Sequence, residues 1–477
     1  MNKKHLPFWI LTAALFIGLI VPNLIQDGMF MDGQLYTNVS KNLGNGIGTF
    51  WNPISSETWN VGGKASFHEH PPLVFGIQSL FFKVLGNSMY VERFYVFLTA
   101  ILTAYLIFLN WKILFKHDKK IHEFSWLPIL LWIIVPVAHW SFQNNMQENT
   151  MGLFALSAVY FSIRGIKSQN RKLLYFLLSG TAVFLASFSK GVPGFFPIVV
   201  IGLYWLVYRI PSFNKTVAYT VILIAIPVLI YALMLMNNEA FEALSFYVNK
   251  RLLGRIETAP TVVSRFHTVF GLISHLLPVL IISAILFFVF VRKSIKSIFK
   301  YKKESILFIL IGLSGSLPLM LTMVQKDFYF SHTIPYFAIG FAAILLPGLS
   351  VLFDRIKLDR KGIKVFKIVS VTLLVISLGL SIYSVGGASR NGDELNDCYL
   401  IGGVVPENTI VEIDNSISLQ YGFRFYLVRY FNISSAANKE YDYFIVEKSR
   451  DKKARDKYDL ITLDTKKYNL YKKRNKE

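Results

Sequence analysis

Three acids and a set of basic side chains are spread along this chain in a pattern that suits proton removal from a hydroxyl as a phosphate departs. The acids are Asp32, in Asp27-Gly28-Met29-Phe30-Met31-Asp32-Gly33; Glu69, in Phe67-His68-Glu69-His70-Pro71-Pro72-Leu73; and Glu148, in Met146-Gln147-Glu148. The bases are Lys190, in Phe188-Ser189-Lys190-Gly191, then Lys250, Arg251 and Arg255, and later Lys326 with Tyr329 three residues on. A positioned carboxylate takes the proton of an attacking hydroxyl. Lysine and arginine hold the charge that grows on a departing phosphate. Arg251 and Arg255 share a helical face, which fits a phosphate clamp and equally an ordinary basic face. His68 and His70 flank Glu69; a divalent metal on these two, completed by a third ligand from elsewhere, is the one cofactor the sequence suggests.

Each residue also has a plainer reading. Asp32 would cap a helix that begins near Gly33, and capping does not preclude catalysis. Asp27 reads as a cap or turn residue. Glu69 and Glu148 would otherwise be solvated loop acids, although the two prolines after His70 restrict the backbone beside Glu69. Lys190 would end an apolar helix by snorkelling. Gly44-Asn45-Gly46-Ile47-Gly48 has glycines spaced like a nucleotide-binding loop, but no strand precedes it and no helix clearly follows, so it reads as a flexible turn.

The elements that must position these groups are membrane helices. The chain has 477 residues, of which 53% are hydrophobic and 17% charged, which excludes an ordinary soluble protein. Apolar runs recur at 7–25, 91–111, 124–140, 150–163, 172–189, 193–208, 216–236, 269–291, 305–324, 333–353 and 366–386. These are read as about eleven spans, most long enough to cross ~30 Å of hydrocarbon as helices, the conformation that satisfies the backbone in lipid. The first is expected to stay uncleaved, since Pro22-Asn23-Leu24 follows it where a signal peptide would show small residues.

A net charge of +21 invites a nucleic-acid reading, and its placement argues against one. Basic residues gather in alternate loops, around Lys112–Lys120, Arg164–Lys172, Arg209–Lys215, Arg292–Lys303 and Arg355–Lys367, while 141–149 has none. This positive-inside bias puts the N-terminus in the cytoplasm and, with an odd span count, the C-terminus outside. The first external loop, 26–90, is expected to carry an amphipathic helix marked by Leu35, Tyr36, Val39 and Leu43, and an interfacial stretch over 73–85. From residue 387 the chain turns polar, with β-branched or alternating runs at 409–413, 443–446 and 460–463 and a helical pattern over 417–430. The expected architecture is therefore a polytopic α-helical membrane domain over 1–386 and a small extracytoplasmic α/β domain over 387–477. The lone Cys398 excludes an intramolecular disulfide.

Together these motifs resemble the C-type superfamily of lipid-linked-sugar-dependent glycosyltransferases, in its protein O-mannosyltransferase and aminoarabinose (lipid A) transferase branch. The resemblance runs over roughly residues 1–350. It rests on Asp32-Gly33 with Tyr36 after the first span, on Phe67 to Leu73, on Glu148 before span four, on Ser189-Lys190-Gly191 with Pro197, and on Lys326 to Tyr329 with Pro335. It implies that Asp32 is the general base, that Glu69 and Glu148 shape the site, and that Lys190 and Lys326 contact the lipid phosphate. Gly33 stands where the family has a second acid, Glu148 where it has Asp, and His70 where Lys is common. On this reading Asp32, Glu69 and Glu148 are catalytic, and Tyr36, His70, Lys190, Arg251, Arg255, Lys326 and Tyr329 bind substrate. The expected activity moves a sugar from a polyprenyl-phosphate donor to a lipid, glycan or protein hydroxyl at the outer face of a bacterial cytoplasmic membrane, with no nucleic-acid partner. The rivals are a flippase for a lipid-linked sugar, against which the absence of an internal repeat counts, and a non-catalytic membrane assembly subunit.

Overall fold

A computed structural model describes residues 3–60, 63–254, 260–288, 300–355, 361–451 and 457–474. Among them, eight single helices are long and apolar enough to cross a membrane: Leu6–Ile25, Tyr90–Leu114, Lys172–Lys190, Phe213–Met234, His267–Leu286, Lys302–Leu321, Ile334–Arg355 and Lys361–Tyr383. A ninth crossing is available if Lys119–Ile133 and Pro136–Gln143, bent by 76°, form one broken span. The break has a local cause: Pro136 opens the second piece and holds Val135 extended, with ψ 121°. Two other expected spans are helical in a different form. Residues 150–163 lie inside Gln147–Lys167, whose first turn is polar. Residues 193–208 become a 3-10 segment, Val192–Val199, where Pro193 and Pro197 withhold N–H groups, followed by the short helix Val200–Tyr208.

The chain divides into two compact units, Met1–Pro22 with Val96–Ser384, and Asn23–Tyr95 with Val385–Glu477. The first is the helical bundle. The second contains a five-stranded sheet of β1 (Ile410–Ile413), β2 (Ser434–Ala437), β3 (Tyr443–Glu447), β4 (Tyr458–Ile461) and β5 (Tyr468–Lys473), in the order β2-β1-β3-β5-β4. β1 runs parallel to β2 and β3, whereas β5 runs antiparallel to β3 and β4. A parallel pair needs a crossover, and the helix Tyr421–Phe431 supplies it between β1 and β2. Val411, Ile413, Ile445 and Leu470 close on Phe423, Tyr426 and Leu427 of that helix and on Cys398 and Ile401 of Gly392–Gly402. The basic stretch Lys472-Lys473 ends β5; Lys473 pairs with Glu440 at 3.2 Å, and Arg474, just after it, with Asp459 at 2.8 Å.

The first loop is built into this sheet unit. Its helix Met31–Gly44 is held by Tyr426, whose hydroxyl lies 3.0 Å from both the amide and the carbonyl of Met29, and by Asn38 Nδ2 on the Phe425 carbonyl at 3.0 Å. The buried Lys41 ammonium donates to the Val428 and Arg429 carbonyls and to Asn432 Oδ1, at 3.0, 2.9 and 2.5 Å. Further along, Glu57 N and Thr58 Oγ1 bond to Ser434 and Ser435 of β2. Arg429, fully buried, spans the two oxygens of Glu92 at 2.8 and 3.3 Å and also donates to the Asn87 and Ser88 carbonyls. Arg93 shares Glu92 at 3.1 Å and lies 3.6 Å from Asp27, which accepts from the hydroxyls of Tyr399 and Tyr430.

Arg429→Ala removes the bidentate cation from a buried carboxylate and leaves it with Arg93 alone, which should cost up to about 3–5 kcal/mol, read as a lower unfolding temperature; replacing Glu92 and Arg429 together by Gln and Met should cost less. Lys41 gives a separate pH signature. Burial, with the Arg429 guanidinium nearby, pushes its pKa from 10.5 to about 7. Between those values the unfolded chain holds a proton that the native chain has released, so stability rises with pH across that window and the full penalty is present below it. Lys41→Met should flatten that rise in unfolding curves taken from pH 7 to 10.5.

Candidate active site

In the sheet unit the site residues sit on one helix and one turn. Met31–Gly44 begins two residues earlier than capping by Asp32 would require. Its N-cap is Phe30, which makes no side-chain cap, and Asp32 stands half-buried in the first turn. A carboxylate there is favoured in its ionised form by the amino end of the helix dipole. Tyr36 lies one turn further along the same face, and its hydroxyl is 3.2 Å from Nε2 of the buried His70. That contact joins the helix bearing Asp32 to the segment bearing Glu69, which is also half-buried. The segment is rigid for visible reasons: Phe67 is fully buried against Trp59 and Phe75, and Pro71-Pro72 lead straight into the helix Leu73–Leu85. His68 turns elsewhere, with Nε2 on the Trp51 carbonyl at 2.9 Å. Among the described residues no group of three His, Cys, Asp or Glu side chains is placed to hold a metal.

In the bundle, Glu148 lies in the first turn of Gln147–Lys167 and Lys190 is the last residue of the neighbouring Lys172–Lys190. A short connection makes these helices antiparallel, so the acid sits at an amino end and the base at a carboxyl end, each where the dipole favours its charge. Lys190 Nζ is 3.3 Å from Glu148 Oε1, and both are buried. Gly191 then leaves the helix with φ +96°, and a Cβ there would collide with the Tyr247 hydroxyl. That hydroxyl donates to the Lys190 carbonyl at 3.4 Å. Tyr247 opens the π-helical stretch Tyr247–Leu253 that carries Arg251, so that stretch is tied to the end of the lysine helix. Arg255 lies outside the described residues.

The 326–336 stretch is arranged differently from the sequence expectation. Lys326 is exposed ahead of the 3-10 turn Asp327–Phe330, and Tyr329 is half-buried within it. His332, which the sequence groups with Lys326 and Asp327 among the ionisable residues flanking the apolar run 333–353, is the residue that reaches the helix of Glu148. A Cβ on Gly152, one turn beyond Glu148, would stand 3.2 Å from His332 Cα. The rings of His332 and Tyr336 lie 5.5 and 5.6 Å from Phe196. Burial pushes the His332 pKa down to about 4, so the ring is neutral at physiological pH. The buried Tyr336 hydroxyl and both amide atoms of Gln147 have no hydrogen-bond partner among the described residues, and such groups are rare in folded interiors unless something else engages them. Gly152, four residues after Glu148, was the one sequence signal for this packing.

A family model described as dolichyl-phosphate-mannose-protein mannosyltransferase matches residues 69–234. No curated protein matches significantly. Two crystal structures of ArnT from Cupriavidus metallidurans are similar in fold. The one bound to undecaprenyl phosphate has TM-score 0.62 at 13% identity, covering 97% of each chain. The apo state has TM-score 0.60 at 13% identity, covering 96% of this chain and 95% of that one. The oligosaccharyltransferase AglB from Archaeoglobus fulgidus, in complex with an inhibitory peptide and a dolichol-phosphate, has TM-score 0.52 at 14% identity, covering 94% of this chain and 69% of its own.

Lys190→Met leaves the Glu148 carboxylate buried without its cation and should lower stability by about 3–5 kcal/mol. Adding Glu148→Gln should recover most of the unfolding temperature. If the two losses simply add, the pair is not coupled.

Proposed function

We propose, for a chain that belongs to the GT-C superfamily in its PMT/ArnT-like form, that it transfers one sugar from a polyprenyl-phosphate donor to an acceptor hydroxyl at the outer face of a bacterial cytoplasmic membrane. The observation that carries this reading is the Tyr36–His70 contact, which makes one scaffold of the Asp32 helix and the Glu69 segment. Asp32 takes the proton of the acceptor hydroxyl as its oxygen bonds to the anomeric carbon. The bond from that carbon to the phosphate oxygen breaks, and its electron pair leaves with the lipid phosphate. Lys190, Arg251 and Lys326 are assigned to that phosphate, where fixed cations stabilise the developing charge. Glu148 holds Lys190 in place, and Glu69 orients the acceptor beside Asp32. The undecaprenyl phosphate bound to ArnT and the dolichol-phosphate in complex with AglB support a lipid-linked donor here.

The proline-broken pair at Val135 is the one feature that favours the flippase reading, because transporters use interrupted helices. Purified protein given a radiolabelled polyprenyl-phosphate sugar and a membrane extract separates the two: label appears on an acceptor if the chain is a transferase, and only on the opposite leaflet if it is a flippase. Asp32→Asn should lower transfer by about 100-fold or more, the scale of a lost general base, with an unchanged unfolding temperature. Activity near wild type in that variant would remove Asp32 from the chemistry. Lys190→Met together with Glu148→Gln should stay folded and raise the donor concentration needed for half-maximal rate.

A further inference from the structure

The sheet unit contains a cavity of about 260 Å3 whose wall includes Phe30 and Met31, the two residues before Asp32, with Arg390, Asn391, Glu394, Tyr421 and Gly422. We infer that this cavity is the acceptor subsite and that it takes an acidic sugar unit, a carboxylate- or phosphate-bearing ring of the acceptor glycan. The inference deepens the transferase reading and rests on it. Its location is the first support, since the wall continues directly into the helix turn that carries the assigned base.

The cavity is built and held open by contacts that have no other evident use. Asp27 pairs with the chain at Ala388, its amide on the Gly387 carbonyl at 2.8 Å and its carbonyl accepting from Ser389 N at 2.7 Å. Gly28, at φ +88°, then lies so close that a Cβ would collide with the Arg390 carbonyl oxygen. The backbone of Arg390 is thereby pinned to the loop that leads to Asp32, and its guanidinium sits 5.3 Å from the Phe30 ring centre. Gly422 lies in the first turn of Tyr421–Phe431 with no left-handed φ, so the backbone does not demand glycine there. Glycine in a helix costs up to ~1 kcal/mol against alanine. What it supplies is space: a Cβ would stand 3.2 Å from Asn391 Nδ2 and 3.6 Å from Glu394 Oε2.

The chemistry of the wall selects the ligand. Glu394 is paired with Lys467 at 2.9 Å, whereas Arg390 makes no ion pair among the described residues. The cavity therefore presents one uncompensated, forked cation, which suits bidentate capture of a carboxylate or phosphate. The Asn391 amide and the Glu394 carboxylate offer donors and acceptors to ring hydroxyls, and Tyr421 adds an aromatic side chain to the wall. The volume falls just below the ~300–1,000 Å3 of pockets for drug-sized ligands, which fits one sugar ring and excludes a lipid tail.

The test is ligand-observed NMR on the full-length protein in detergent, with no donor present. The probes are the methyl glycoside of a hexuronic acid, the matching neutral methyl hexoside and a short Ser/Thr peptide. The acidic glycoside should bind, Arg390→Gln should weaken it by about tenfold or more, the scale of one lost charged hydrogen-bonding partner, and Gly422→Trp should abolish it. Arg390 is exposed, so its variant keeps the fold even if Gly422→Trp does not. Failure of the acidic glycoside to bind, equal binding of the neutral one, displacement by the peptide, or indifference to Arg390→Gln would each overturn the assignment. The measurement needs no turnover. A wild-type protein that binds the glycoside but transfers no sugar counts against the transferase reading alone, and one that transfers sugar without binding the glycoside counts against this subsite alone.

Discussion

The buried contact between Arg429 and Glu92 is what the rest of the extramembrane structure depends on. Both side chains are withdrawn from water, and an isolated charge in that position would be prohibitively costly. Geometry makes it tolerable: the guanidinium has two carboxylate oxygens and two backbone carbonyls, while Glu92 has a second cation in Arg93. Arg429 comes from the crossover helix of the sheet and Glu92 from the segment that follows the first loop, so the pair ties Tyr421–Phe431 to that segment. Lys41 and Tyr426 repeat the same strategy a few residues away. Each covers main-chain polar groups of one segment with a side chain from the other.

The bundle uses a different device. Glu148 and Lys190 gain from helix ends before they gain from each other, and an antiparallel neighbour pair delivers opposite charges to the same level without any long-range design. Tyr247 and Gly191 then lock the end of the lysine helix, so the ammonium is aimed by backbone contacts as well as by its carboxylate.

Hydropathy made the helical scaffold legible because apolar runs of membrane length admit one conformation. The short motifs around Asp32, Glu69, Glu148 and Lys190 were legible because charged groups at the mouths of apolar helices are scarce. Three of the five strands were visible from alternation, but β2, Ser434–Ala437, has small and polar residues that carry no pattern, and the two lysines that end β5 mask its alternation. The break at Pro136 was hidden inside a continuous apolar stretch. Asp27 looked like a turn residue and is a buried acceptor for two tyrosines from beyond residue 390, a partnership that no local pattern encodes. The packing of His332 was hidden for a similar reason: its neighbour Gly152 is nearly two hundred positions away, and a single glycine in a helix has many ordinary explanations.

The tie between Met29 and Tyr426 joins residues 397 positions apart, which bears on the order of events during synthesis. The segment that carries Asp32 is made long before Phe425, Tyr426 and Asn432, the residues that hold its helix. Until the sheet unit has formed, the first loop has the motif but not the mount, so its shaping is a late event in synthesis.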